Sequence, residues 1–312
     1  MPAIITHHQF AREMLAQSST DFLQTERERN AFLLGSQGPD PLFFCVASPS
    51  LAPYRNLGSL MHDKKPAQLL TAISHGAAYA PSNTQSVVRS FGAGFLCHYL
   101  LDRAAHPFVY AQQFAICDAG IDGLTMDDGH EVHAVIESEL DEFILYTRAG
   151  HTITSFVPYK EILKADNQTL AAISHAICGV LWSTYEQLSP ADLFSKSVHN
   201  YRRVQRATYS PHGMKRKLYG AVERKFRPHS FAQAFSHRAI AITESAFNNH
   251  EHHAWEDPFT GQIHTTSFTD IFERTLEEAN RTVPCFIEGN FSEEEAKAFS
   301  RNLNFSGKPV RA

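Results

Sequence analysis

Residues 97–108 read CHYLLDRAAHPF and residues 130–141 read HEVHAVIESELD. His98, Asp102 and His106 stand four apart in the first, and His133, Glu137 and Asp141 repeat that spacing in the second. Residues four apart in an α-helix advance ~400° around the axis, so each trio lines up on one side over about two turns. The intervening positions are apolar: Phe95, Leu96, Leu100 and Leu101 in one stretch, Val132, Val135, Ile136 and Leu140 in the other. Both stripes are therefore expected on helices of a packed interior, where imidazoles and carboxylates need partners. An i,i+4 His/Asp pair can be a surface ion pair, and a lone His on an apolar face is usually a satisfied core residue. Two ladders of three favour a metal, because imidazole nitrogen and carboxylate oxygen are what zinc takes in hydrolytic sites. Facing stripes in a bundle offer room for more than one ion.

Outward from these ladders, apolar residues recur at helical spacing near 7–16, 21–34, 65–79, 84–106, 128–147, 167–188, 190–208, 213–226, 230–247 and 267–281, with a short last segment from Ser292 to Asn302. Ser189-Pro190 ahead of Asp192, and Ser292 followed by Glu293, Glu294 and Glu295, are start signals for two of them. Long alternating patterns are scarce. The expectation is an all-α fold, a multi-helix bundle, and with no Gly/Ser/Pro-rich linker dividing the chain, a single domain over 1–312.

A chain of 312 residues, 43% hydrophobic, has material for a large core. Its net charge of −5 gives no nucleic-acid-like basic balance, and 18 histidines fit metal binding. Cys45, Cys97, Cys117, Cys178 and Cys285 form no CxxC pair, and an odd number cannot all pair within one chain, so they read as reduced thiols. The start, MPAIITHHQFAREML, carries a three-residue apolar patch, short of the about 7 to 15 residues of a secretory signal, and no run reaches the ~18 apolar residues of a spanning helix. The expected location is cytoplasmic.

Three connecting segments carry candidate functional residues. GSQGPDPLFF (35–44) fixes a tight turn through Gly38, Pro39 and Pro41 that would hold Asp40 at a helix end. LGSLMHDKK (57–65) puts His62 and Asp63 just ahead of a helix starting near Pro66. NNHEHHAWEDPFTG (248–261) brings His250, His252, His253, Trp255 and the turn Asp257–Gly261, with Trp255 and Phe259 as either cleft lining or packing anchors. Separately, YRRVQRATYSPHGMKRKLYGAVERKFR (201–227) holds nine Lys/Arg against one acid, interleaved with Tyr201, Tyr209, Tyr219 and Phe226. Such a surface suits an anionic lipid headgroup or a single-stranded nucleic acid, although most charge runs are only solvated faces. Arg202, Arg203, Lys215, Arg216 and Lys217 are the candidates for peripheral membrane contact, with nucleic acid the second choice; the oligomeric state is not legible.

Taken together, THHQF near the start, GPDP, MHD, CHYLLDRAAHPF and HEVHAVIESELD resemble the bacterial zinc-dependent phospholipase C family. That family is all-helical, with up to three zinc ions at the mouth of a cleft, and a fungal single-strand nuclease shares its metal arrangement. The order of its motifs is matched by His7, Asp40, His62, His98, Asp102, His106, His133 and Glu137. The resemblance is strong over residues 1–145; Trp255, Pro258, Thr260-Gly261, Ser267-Phe268 and FSGKP at 305–309 look like a cytosolic branch. It implies that Asp40, His62, His98 and Asp102 surround one zinc, that Asp102 bridges toward a second near His7, and that His106, His133 and Glu137 hold another, giving two to three Zn2+ ions. Two departures stand out. Secreted members use a processed N-terminal amino group as ligand, whereas Met1 precedes His7 here, and their third His lies six positions after the Asp rather than four. The shorter spacing keeps His106 on the same helical face; His8 and His130 are fallback ligands. The implied activity is hydrolysis of a phosphate ester, most closely a phospholipid headgroup, by a zinc-activated water, with Asp40 as both ligand and proton acceptor. Asp141 is expected either to orient the outer nitrogen of a histidine ligand or to be a plain surface charge. The alternatives are a nuclease or phosphatase on the same centre, and a non-catalytic helical protein with structural zinc.

Overall fold

The computed structural model describes residues 3–17, 23–121, 124–226, 229–287 and 291–310. Its helices are α1 (Ile4–Gln17), α2 (Glu26–Gly35), α3 (Leu57–Asp63), α4 (Pro66–His75), α5 (Gln85–Cys117), α6 (Gly129–Ala149), α7 (Pro158–Glu161), α8 (Asn167–Tyr185), α9 (Leu193–Thr208), α10 (Met214–Glu223), α11 (Phe231–Ala234), α12 (Phe268–Ile287) and α13 (Glu293–Ser300). A two-residue antiparallel hairpin, β1 (Trp255–Glu256) with β2 (Ile263–His264), is the sheet among the described residues. The fold is all-α, as expected.

Local chemistry sets the ends of several helices. Thr25 and Glu28 close a capping box on α2, and Ser292 with Glu295 does the same for α13. Asp166 caps α8 through Thr169 N–H at 2.7 Å. Pro66 opens α4, where its missing N–H costs nothing, and Gly150 ends α6 in the left-handed conformation.

Helix α5 is the axis of the molecule, with α2, α12, α6, α1 and α8 packed around it. The approach of α2 to α5 is close enough that a Cβ on Gly94 would lie 2.0 Å from the Phe32 carbonyl oxygen, so only glycine fits there. One apolar cluster runs from Ile4 to Phe305 through Phe10, Phe32, Phe95, Tyr99 and Phe272. No helix among the described residues is long and apolar enough to cross a membrane.

Several expected boundaries change. Helix α5 runs on past 106, through Pro107, to Cys117, and α12 runs past 281 to Ile287. LGSLMHDKK is not a loop: residues 57–63 form α3, with Gly58 seated against the Phe43 ring. The helix expected over 230–247 shrinks to α11, because the residues after it find partners elsewhere: Ser236 Oγ donates to Thr208 O, His237 to Asp141, and Arg238 N–H to Glu142. Residues 21 and 22 of the second expected helix and Arg227 of the basic stretch lie outside the described residues.

Candidate metal centre

The long helix α5 presents His98, Asp102 and His106 along one side, and α6 faces it with His133 and Glu137. Helix α1 adds His7, α3 adds His62, and the turn at Gly38-Pro39 delivers Asp40 as the first residue of a 3-10 segment, Asp40–Ala47. Gly38 is needed in that turn: its φ is +51°, and a Cβ would meet the His98 ring at 2.2 Å. All eight candidates converge on three clusters, His7/His98/Asp102, Asp40/His62/His98 and His106/His133/Glu137. Seven are buried, and His133 is the partly exposed one, placing the open side of the centre there.

Asp102 sits between the first two clusters and next to the third. Its Oδ1 is 3.0 Å from His7 Nε2 and 3.8 Å from His106 Nδ1, and its Oδ2 is 3.2 Å from His98 Nε2 and 3.7 Å from His62 Nε2. Asp40 Oδ1 lies 3.1 Å from His62 Nε2 and 3.5 Å from His98 Nε2. Glu137 Oε1 lies 3.2 Å from His133 Nε2 and 3.6 Å from His106 Nε2. The His7 ring stacks on His98 at 4.1 Å, and His106 on His133 at 5.6 Å. A small cavity is bounded jointly by His7, Asp102, His106 and Glu137.

The outer nitrogens settle how these rings are presented. His62 Nδ1–H donates to Gly58 O at 2.7 Å, His98 Nδ1–H to Ser36 O at 3.0 Å, His106 Nδ1–H to Phe305 O at 2.8 Å and His133 Nδ1–H to Gln113 Oε1 at 2.9 Å. A neutral ring donating through Nδ1 carries its lone pair on Nε2, and that is the atom turned toward the carboxylates. His62 Nε2, His98 Nε2, Asp40 Oδ1 and Asp102 Oδ2 are buried and make no hydrogen bond despite their proximity. Lone pairs of nitrogen and oxygen facing one another at such distances repel unless a cation lies between them, so the donor set fits a metal such as zinc.

Charge perturbations in Asp102, Glu137 and His106 point the same way, whereas burial lowers His133. Burial would raise Asp102, but His98, His106 and His7 outweigh it and hold the carboxyl well below its ordinary range. Burial likewise opposes the ionised form of Glu137, yet nearby positive charge, with His133 and His106 among its sources, keeps it well below normal. For His106, burial is outweighed by Asp102 and Glu137, and its pKa is pushed up to about 9. The pocket is thus built to hold positive charge.

Other expected residues lie elsewhere. His8 lines a separate pocket with Arg12, His151, Phe156 and Lys164, where burial and the two cationic side chains hold it down to about 3. His130 is exposed on α6, as is Asp63 at the end of α3. Asp141 neither orients a ligand's outer nitrogen nor lies on the surface; it is fully buried and accepts from Ile5 N–H, Thr6 N–H, the Thr6 hydroxyl and His237 Nε2. Trp255 is a packing anchor, edge-on to Phe108 at 5.2 Å with Nε1 donating to Thr266 O. Phe259 reaches the centre indirectly, packing on Tyr110 at 5.4 Å, which in turn contacts His133 at 5.0 Å. His250, His252 and His253 stay outside the clusters.

Gln113 and Phe305 were not anticipated as parts of the site. Gln113 stands seven residues after His106 on α5, a helical spacing that could have flagged it. Phe305 comes from the FSGKP segment; besides its carbonyl, its ring packs on His62 at 4.8 Å and His98 at 5.8 Å.

No curated protein and no solved structure shows significant similarity to the chain. The family described as zinc-dependent phospholipase C matches residues 6–184, a span that contains all eight residues of the three clusters and runs from α1 to the end of α8. With more than half of its length matched, the chain belongs to the zinc-dependent phospholipase C family.

Proposed function

We propose that the protein is a hydrolase of phosphate esters that cleaves a phospholipid headgroup in the manner of a phospholipase C, using two to three zinc ions held by His7, Asp40, His62, His98, Asp102, His106, His133 and Glu137. The observation that carries this is the convergence of unpartnered Nε2 and carboxylate oxygens in a family whose members are zinc-dependent. Zinc in such a set supplies a water of near-neutral pKa as nucleophile and a Lewis acid for the phosphoryl oxygens. The chain's own residues do the rest. Gly58, Ser36, Phe305 and Gln113 fix the rings, and Asp102 shares its two oxygens between neighbouring clusters. Asp40, buried beside His62 and His98, is assigned both a share in holding the metal and the proton of the attacking water.

The third cluster supports catalysis over a structural role. His106, His133 and Glu137 are three protein ligands, the number that leaves a fourth position for water or substrate, and His133 is the partly exposed member. Residues 1–312 read as one domain, supported by the apolar cluster from Ile4 to Phe305. Five unpaired cysteines support a reducing, cytoplasmic setting.

The test is elemental analysis of protein purified without chelator, followed by a panel of chromogenic phosphate mono- and diesters and a phosphatidylcholine substrate. The expected result is at least two zinc equivalents with diester and phospholipid turnover that chelator abolishes. Less than one equivalent would overturn the metal centre. Full zinc with no turnover of any ester would leave the structural-zinc reading standing.

A further inference from the structure

Helix α10 carries an outward row of apolar side chains that the proposed zinc chemistry does not explain. Met214, Leu218 and Val222, four apart, are 73%, 60% and 47% exposed, and Phe226 just beyond the helix is 85% exposed. Apolar residues scattered singly on a surface need no explanation, whereas a continuous row of large ones does. Exposed Lys215, Lys217 and Lys225 flank it.

We propose that α10 docks the protein peripherally on an anionic lipid surface, the row inserting at the acyl boundary and the lysines meeting the headgroups. Opposite polarities are sorted as this requires. The acid within the stretch, Glu223, is turned into the fold, accepting from Ser230 Oγ at 2.6 Å and Ala232 N–H at 3.0 Å. Arg216 and Arg224 are also used internally, donating to Gln233 O and Gln233 Oε1. These bonds clamp α10 onto α11, whose Ala234 carbonyl accepts from Ser138 Oγ at 2.7 Å, next in sequence to Glu137. The docking helix is therefore fastened to the wall of the metal centre while its apolar row faces outward.

The observations favour lipid over nucleic acid. Bases stack on aromatic rings, and the aromatics of this stretch are committed elsewhere: Tyr201 is buried against Phe44 at 3.9 Å, and the Tyr209 and Tyr219 hydroxyls donate to Ile153 O and Ala207 O. What remains outward is aliphatic apart from Phe226. A second copy is disfavoured by charge, since two α10 helices would oppose lysine to lysine.

The inference rests on the phospholipid reading for its purpose, but its test does not require turnover. Sedimentation with vesicles of phosphatidylcholine alone, and of phosphatidylcholine mixed equally with phosphatidylglycerol, should show binding to the mixed vesicles that weakens with salt. Each lysine near such a surface is worth about fivefold in binding. Lys215→Glu with Lys217→Glu should therefore lose roughly 25-fold or more, and Leu218→Asp with Val222→Asp should lose binding at every salt concentration. Both variants should keep the wild-type melting temperature and hydrolysis of a small soluble ester. A Leu218→Trp reporter tests the same face without removing it and should blue-shift on the mixed vesicles. Absence of wild-type binding, an unshifted reporter, or undiminished binding of both double variants overturns the proposal. So does oligothymidylate competing with vesicles for the wild type, or a wild-type dimer dissolved by Leu218→Asp. Loss of soluble-ester hydrolysis in the wild type, with vesicle binding intact, would instead strike the catalytic reading alone.

Discussion

Thr6 donates twice to Asp141, its backbone N–H reaching Oδ1 at 2.7 Å and its hydroxyl the same oxygen at 2.6 Å, while Ile5 N–H takes Oδ2 at 3.1 Å. These N–H groups belong to the first turn of α1, where no intrahelical acceptor exists, so a carboxylate from α6 caps the helix that carries His7 one residue later. Asp141→Asn keeps the shape but turns one acceptor into a donor facing N–H groups. The expected cost is about 3 kcal/mol in denaturant unfolding of the chelated protein, with reduced zinc at the His7 cluster. A folded variant with full zinc would separate the anchoring of α1 from the metal centre.

The partner of Asp141 on its far side sets a pH dependence. His237 is buried and donates through Nε2 to Asp141 Oδ2 at 2.8 Å. Burial alone would lower its pKa, but Asp141 and Glu142 outweigh that and raise it above 6.5. Because the folded value exceeds the unfolded one, the stability from protonated His237 is complete below pH 6.5 and fades as pH rises through the raised value. In chelated protein, the stability gap between wild type and His237→Gln should be widest at mildly acidic pH and close on the alkaline side. A gap that widens with rising pH would contradict the assignment.

How far the sequence reaches is decided by the range of the interaction. The ladders on α5 and α6 were legible because four-residue spacing is a local property of a helix, and all of their residues but Asp141 join the clusters, whose other members, His7, Asp40 and His62, were marked by the family resemblance and not by spacing. Asp141 was not legible in its true role, since its donors Ile5 and Thr6 lie more than a hundred residues away. Nor were Ser36, Gly58 and Phe305, which hold histidines through backbone carbonyls that any residue type could provide. The segment after α11 shows helical spacing yet leaves the helix, because Asp141, Glu142 and Glu139 of α6 offer its N–H and guanidinium groups better-placed acceptors. Helix α3 failed in the opposite sense: a short stretch containing Gly58 reads as a loop, and packing of that glycine on Phe43 is a tertiary contact.

Gly38 gives a test of the turn that delivers Asp40. Its φ of +51° is strained for any other residue, and its missing Cβ would lie 2.2 Å from His98 Cδ2. Gly38→Ala must therefore move the ring or the turn, at a cost of roughly 1–3 kcal/mol and with loss of zinc at Asp40/His62/His98. Gly150→Ala is the control, since φ there is +67° with nothing within 4 Å of a Cβ, so it carries backbone strain without touching the centre. Equal zinc content in the two variants, measured by elemental analysis, would show that the turn can yield without disturbing His98.

Asp102 should matter more to metal binding than any other carboxylate, because its two oxygens face different histidines: Oδ1 lies 3.0 Å from His7, and Oδ2 3.2 Å from His98. Glu137, by contrast, belongs to one cluster, beside His106 and His133. Asp102→Asn removes the shared charge while preserving volume, so it should lose more than one zinc equivalent, and Glu137→Gln should lose only one. Metal held between helices α1, α3, α5 and α6 stabilises the folded state by mass action, about 2.7 kcal/mol when free zinc is a hundredfold above its dissociation constant. Adding chelator should therefore lower the melting temperature most in the wild type, less in Glu137→Gln, and least in Asp102→Asn. Full zinc occupancy in Asp102→Asn, or a chelator shift as large as that of the wild type, would reduce Asp102 to an ordinary buried carboxylate of α5 and remove the coupling between neighbouring clusters.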